Sequence, residues 1–215
     1  MNYRKILFFA LLFNTIFAFG QTTIVSDGLN GATSLFTLSG GAYYTGNSAA
    51  ADRVANSPFT SEGTDSRGII NGTATLTSND INTAAYSGIS LSFRLAAFSI
   101  ASTSNGVDAG DIVTVEVSPD GGINYYSTVR VLGNSNCYWS YSGGTGFATT
   151  AYDGDATPID FQPTGTGPSN RTTDGYSTVT VTGLPAVTNL KFRITLLNNA
   201  VNEQWVVDEI GRAHV

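Results

Sequence analysis

Apolar and polar residues alternate with a two-residue period in several parts of the chain, the mark of strands that bury one face. Between Ile89 and Leu95 the side chains of Ile89, Leu91, Phe93 and Leu95 fall on one side, opposed by Ser90, Ser92 and Arg94. Val113, Val115 and Val117 repeat the pattern with Thr114 and Glu116 outward, and Leu190, Phe192, Ile194 and Leu196 are opposed by Lys191, Arg193 and Thr195. Weaker alternation marks Thr73 to Thr77, Tyr125 to Leu132, Tyr176 to Thr182 and Gln204 to Asp208, with Thr22 to Ser26 as a first strand. No stretch sustains helical spacing. About eight strands are therefore predicted, and Trp205, alternating with Val207, is assigned to the core.

Turn residues punctuate these runs. Ser118-Pro119-Asp120-Gly121-Gly122 joins two strands, while Asn30-Gly31, Asn71-Gly72 and Asn105-Gly106 offer further places where a positive φ costs little. With links of mixed length and no internal repeat, the pattern predicts an all-β fold, an antiparallel β-sandwich of jelly-roll type. Ser39 to Arg67 is mostly aperiodic, and Gly133 to Gly175 holds only short strand-like pieces such as Tyr138 to Tyr141 and Ile159 to Phe161; connections of that length commonly carry function.

Composition supports this reading. Ser and Thr make up 49 of 215 residues and Gly another 24, a balance suited to pleated strands and turns and poor for helices. The ends of the chain add a compartment. Arg4 and Lys5 precede an apolar run from Ile6 to Phe19, and Ala18 and Gly20 supply the small residues of a cleavage site, so residues 1–20 are expected to be a signal peptide cut before Gln21. The run is short for a membrane span, and no membrane insertion is expected after cleavage. The remaining chain carries eight basic and sixteen acidic residues, a balance that disfavours nucleic acid and anionic lipid as partners. At the other end, Glu209 to Val215 resembles the translation of a short-read sequencing adapter. Residues 21–208 are expected to form a single β-sandwich domain, C-terminally truncated, and 209–215 a non-native tail, with downstream domains of the full-length protein lost.

The chemistry follows from what is scarce. His214, the one histidine, lies in that tail, so neither a Ser-His-Asp triad nor a histidine metal site is expected, and the protein is read as not an enzyme. Cys137 is the one cysteine and reads as a small buried residue. Glu62, Glu116 and Glu203 form no acidic motif, and the latter two read as solvated surface. Acids at strand ends carry more: Asp27 follows the first strand, Asp108 and Asp111 precede another and Asp208 ends the last, a set of hard oxygen ligands for a structural Ca²⁺ if first and last strands converge. The alternative is that each Asp caps a turn. Tyr138, Trp139 and Tyr141, in the second irregular region, would contact a ligand if exposed, or pack beneath the loops as satellite core, the reading Trp139 favours.

Two segments resemble a family. D-I-V-T-V-E-V-S-P-D-G-G-I-N-Y-Y, from Asp111 to Tyr126, is similar to the strand-turn-strand signature of secreted jelly-roll modules, and N-E-Q-W-V-V-D-E-I, from Asn202 to Ile210, resembles their closing strand. Such modules occur in Bacteroidetes-type surface proteins, in the cleaved-adhesin and MAM-like groups, near the N-terminus of proteins that end in a type IX sorting domain. Tyr125 and Tyr126 stand where a Trp is common, and Glu209 where a second Asp is. The resemblance implies adhesion or carbohydrate binding with structural calcium, Asp111 and Asp208 matching its acidic positions. The expected function is a secreted or cell-surface, non-catalytic module that recognises a glycan or a surface protein through its end loops. The alternative is a structural spacer or an accessory domain of a larger secreted enzyme.

Overall fold

The computed structural model describes residues 22–30, 35–45, 60–100, 104–164 and 175–211. The expected signal peptide, Gln21, His214 and most of the expected tail lie outside them. Among the described residues twelve strands follow in chain order: β1 (Phe36–Ser39), β2 (Ala42–Thr45), β3 (Asp65–Ile70), β4 (Gly72–Ser78), β5 (Leu91–Ser99), β6 (Ile112–Ser118), β7 (Tyr126–Leu132), β8 (Gly146–Ala151), β9 (Ile159–Phe161), β10 (Tyr176–Thr182), β11 (Lys191–Asn198) and β12 (Glu203–Asp208). They form two six-stranded sheets, β1-β4-β11-β6-β7-β9 and β2-β3-β12-β5-β10-β8. The fold is the all-β sandwich that the alternation predicts.

The alternating residues do what their spacing requires. Val113, Val115 and Val117 of β6 and Phe192, Ile194 and Leu196 of β11 face Leu91, Phe93 and Leu95 of β5 and Trp205 and Val207 of β12 in one continuous core. Each such side chain taken fully out of water contributes about 1.5–3 kcal/mol, against the ordering cost of the strand that carries it. β12 departs from alternation, since all six of its residues are buried. Its outward Val206 lies with Ala96 and Phe98 of β5 under Tyr138 and Tyr141, in a second apolar cluster on the outer face of the second sheet.

Three differences from the sequence reading bear on function. Thr22 to Ser26 is no regular strand; instead Asp27 forms an isolated antiparallel bridge with Ile210, each N–H reaching the other's carbonyl. Strands also occur where periodicity is absent: β2 and the start of β3 lie in the first irregular region and β8 in the second, while β9 coincides with the strand-like piece Ile159 to Phe161. In β3 the signal is erased by Gly68, where a Cβ would stand 2.3 Å from the Trp205 carbonyl oxygen and 2.9 Å from the Tyr44 ring. Finally, β8 pairs with β10 and β9 with β7 in parallel, so both sheets are antiparallel with one parallel edge. A parallel neighbour needs a long crossover instead of a tight turn, which is why the turn chemistry does not announce it. No helix among the described residues is long and apolar enough to cross a membrane.

Candidate functional site

The three aromatic residues expected to meet a ligand are all interior. Trp139 is fully buried; its Nε1 donates to the Leu95 carbonyl at 3.1 Å and its ring meets Trp205 edge to face at 5.4 Å. Its backbone pairs with Ala97 through N–H···O contacts of 2.8 and 3.0 Å, so this loop continues the second sheet beside β5 where β10 has ended. That alternation turns Tyr138 to the outer face, where it and Tyr141 cover Phe98 and Val206 at 2% and 6% exposure. Tyr138 and Tyr141 thus pack over the apolar outer face of β5 and β12 instead of facing solvent.

The four aspartates do not gather into one site. Asp27 turns inward on its own loop, its carboxylate accepting the Leu29 N–H at 2.8 Å and the Leu35 N–H at 2.5 Å. Asp208 is fully buried; Oδ2 accepts from the Ser61 and Glu62 N–H groups at 2.6 and 3.3 Å, and Oδ1 from the Glu209 N–H at 2.8 Å. Both thus cap loops, the alternative weighed for such acids. Burial raises the Asp208 carboxyl to about 6, even against those three donors.

Asp108 and Asp111 do come together, and with a partner that sequence reasoning placed on the solvated surface. Carboxylate oxygens of Asp108, Asp111 and Glu203 lie within 4.8 Å of one another, with Asp111 and Glu203 buried. The β5–β6 loop supplies the two aspartates, and Glu203 opens β12 after the turn from β11. Asp111 accepts the Asp108 N–H at 2.8 Å and the Asn199 N–H at 2.9 Å, and Glu203 accepts the Ala200 N–H at 3.0 Å. Burial, then the charge of Asp111 and a hydrogen bond shared with it, push the Glu203 carboxyl up to about 7. The Asp111 carboxyl is raised as well, chiefly by burial. Three hard oxygens, two of them in a place that disfavours bare negative charge, match the donor set of a divalent cation. Glu203 and Asp208 stand at opposite ends of β12, roughly 16 Å apart at the rise of a strand, so no single ion could hold all the acids.

A second feature lies at the Asp208 end. On the outer face of the second sheet a cleft of about 440 Å³ is walled by Ser61, Glu62, Ser92, Arg94, Thr178 and Glu209, a size suited to a small ligand or part of a longer one. Asp208 fixes one wall by holding the Ser61 and Glu62 backbone. Arg94 lies directly across from Asp208 on β12 and from Thr178 on β10. Its guanidinium donates to Thr178 Oγ1 at 2.9 Å and to the Tyr141 carbonyl. Among the described residues it forms no ion pair, whereas Arg130 and Arg193 hold Asp160 and Glu116, and Lys191 lies 3.4 Å from Asp80. Beneath the same face, the Tyr141 hydroxyl is buried beside Ser66, and Arg94 Nε is buried with no hydrogen-bond partner among the described residues. Burial, and next the charge of Asp208, raise the Tyr141 hydroxyl well above its ordinary range. Of the lining, the sequence shows Ser92 and Arg94 as outward residues of a strand; their meeting with residues 61, 62 and 178 depends on sheet order.

No protein family and no characterised protein matches the chain in sequence. Among solved structures, the chain aligns with TmCBM61 in complex with β-1,4-galactotriose over 88% of its length and 97% of that chain, at 11% identity and a TM-score of 0.46. It aligns with the K2 cleaved adhesin domain of Lys-gingipain over 91% and 96% respectively, at 13% identity and a TM-score of 0.43. An exo-β-agarase aligns over 89% of this chain and 25% of its own, at 10% identity and a TM-score of 0.41.

Proposed function

We propose that the chain is a secreted or cell-surface, non-catalytic β-sandwich module that binds carbohydrate in the cleft on the outer face of its second sheet. One observation carries the reading: the cleft is lined by hydroxyls from Ser61, Ser92 and Thr178, by the Glu62 carboxylate and by the guanidinium of Arg94, which forms no ion pair among the described residues. Planar charged groups beside hydroxyls suit the paired O–H groups of a sugar, since a carboxylate accepts two hydrogen bonds and a guanidinium donates two. Binding and not turnover is the role proposed because, apart from Glu209 of the expected tail, Glu62 is the one carboxylate lining the cleft among the described residues, and glycoside hydrolysis uses a pair.

Asp108, Asp111 and Glu203 would hold a structural Ca²⁺, which supplies the positive charge that their burial lacks. Within this reading, Asp27 and Asp208 shape loops instead of coordinating the ion.

The test is a polysaccharide and glycan screen with β-1,4-galactotriose included, followed by calorimetry and by analysis for released sugar. Arg94→Ala should weaken binding at least tenfold, as expected when a charged hydrogen-bond donor is lost, with no sugar released by either protein. A blank screen, or an Arg94→Ala variant that binds as well as wild type, would sink the proposal; capture of a surface protein that Arg94→Ala abolishes would assign the cleft to a protein partner instead.

A further inference from the structure

Phe147 sits on β8, and Thr178 of β10 stands directly opposite it. Thr178 in turn faces Arg94 of β5, and Arg94 faces Asp208 of β12. A single row therefore runs across four strands on the outer face of the second sheet: Phe147, Thr178, Arg94, Asp208. The neighbouring Ala148 is buried in the core, which turns Phe147 outward on the cleft's own face. Its ring is 68% exposed.

That exposure is unusual for this molecule. The other large apolar residues described as exposed are Tyr86, Ile123, Ile159 and Val201. Ile159 lies on β9 of the opposite sheet, and the other three lie in turns. Among the exposed large apolar residues of the described part, Phe147 alone sits on a strand of the sheet that carries the cleft. An aromatic face left in water forgoes burial worth some kcal/mol, yet it lies in line with a polar cleft, two interstrand spacings or about 10 Å from Arg94.

We infer that Phe147 is a stacking platform and that the ligand is an oligosaccharide lying across β5, β10 and β8, one sugar held by the polar groups at Arg94 and the next laid on the Phe147 ring. This inference rests on the carbohydrate reading of the cleft and extends it. A pyranose has an apolar face of C–H groups as well as its hydroxyl rim, so a polar cleft beside an exposed ring matches both of its surfaces. The distance along the row suits two linked hexose rings. A single sugar in the cleft would not reach the ring.

The experiment compares wild type, Phe147→Ala and Phe147→Trp by calorimetry with β-1,4-galactotriose, cellotriose and xylotriose and with the matching monosaccharides. Phe147 is exposed, so both variants should keep the wild-type melting temperature. Phe147→Ala is expected to lose roughly tenfold in affinity for the trisaccharide that binds best, to leave the monosaccharide unchanged, and to be rescued by Phe147→Trp. Unchanged trisaccharide affinity in Phe147→Ala, while Arg94→Ala still weakens it, would overturn the platform and leave the cleft reading standing. Equal loss for monosaccharide and trisaccharide would also overturn it. Wild-type protein that binds none of these sugars, nor any other glycan, would remove the cleft reading and the platform together.

Discussion

Single residues carry the tightest constraints, and the glycines around Trp139 show why. A Cβ at Gly175 would fall 1.9 Å from the Trp139 ring, and one at Gly144 would fall 2.4 Å from it. The ring is pinned by its hydrogen bond to the Leu95 carbonyl and by Trp205, so it has no direction in which to yield. Gly175→Ala should therefore cost about 1–3 kcal/mol as an overpacked core, read as a lower urea midpoint with an unchanged slope; a midpoint within error of wild type would mean that the loop carrying residue 175 simply moves away. A glycine before a strand is visible in the sequence, but its need to be glycine is not, because the ring it touches belongs to a distant loop. The reverse holds for Asp120. Its carboxylate gathers the Ser118 hydroxyl and the Asn124 backbone and side-chain N–H groups at 2.7–2.9 Å, and these donors, led by the Asn124 backbone, bring its pKa down to about 2. That turn is legible because every partner lies within four residues.

Strands divide in the same way. β4, β6, β10 and β11 place successive side chains on core and solvent, so their residues state their own register. β5 does so only to Leu95, after which Ala96 to Ser99 are buried on both faces. β12 is likewise covered on both faces, and its neighbour β3 includes a buried Arg67, which holds the Ser66 carbonyl through Nη1. β9 is visible in the sequence only as the short strand-like piece Ile159 to Phe161, three residues with no fully buried side chain. What it does have is a bidentate pair, Arg130 Nε and Nη2 each donating at 2.7 Å to Asp160 across the parallel β7–β9 ladder. Both side chains are about 40% exposed, so water screens the pair and its contribution to global stability is within about 1 kcal/mol. Asp160→Asn should accordingly speed amide exchange across Ile159–Phe161 with little change in melting temperature. A loss of several degrees would show that β9 belongs to the cooperative core and not to its edge.

The whole molecule is an acidic sandwich that keeps two of its carboxyl sites buried at opposite ends of one strand, and this sets how its stability should follow pH. The sequence shows the acids at both ends, yet it places Glu203 on the surface, because the turn between β11 and β12 is what carries it to Asp108 and Asp111. In the fold Glu203 holds its proton up to about 7 and Asp208 up to about 6, above the ordinary values of 4.5 and 3.8 that the unfolded chain restores. These two groups therefore bind more protons in the folded state than in the unfolded state between those limits, and the stability they contribute is full below about pH 4 and is lost as pH rises toward 7. The lowered carboxyls of Asp120 and Asp160, by contrast, lose their contribution as pH falls below about 4. A divalent cation at Asp108, Asp111 and Glu203 would replace the lost protons with fixed positive charge, adding stability by mass action where the carboxyls are ionised and almost none where they are protonated. Melting curves from pH 4 to 8, with chelator or with millimolar Ca²⁺, should separate progressively as pH rises. Glu203→Gln should flatten the chelated curve and shrink the gap between the two, while Asp208→Asn should flatten the curve near pH 6 and leave the Ca²⁺ gap intact. A Ca²⁺ gap of equal size at pH 4.5 and pH 8, or one that survives Glu203→Gln undiminished, would place the ion away from this cluster.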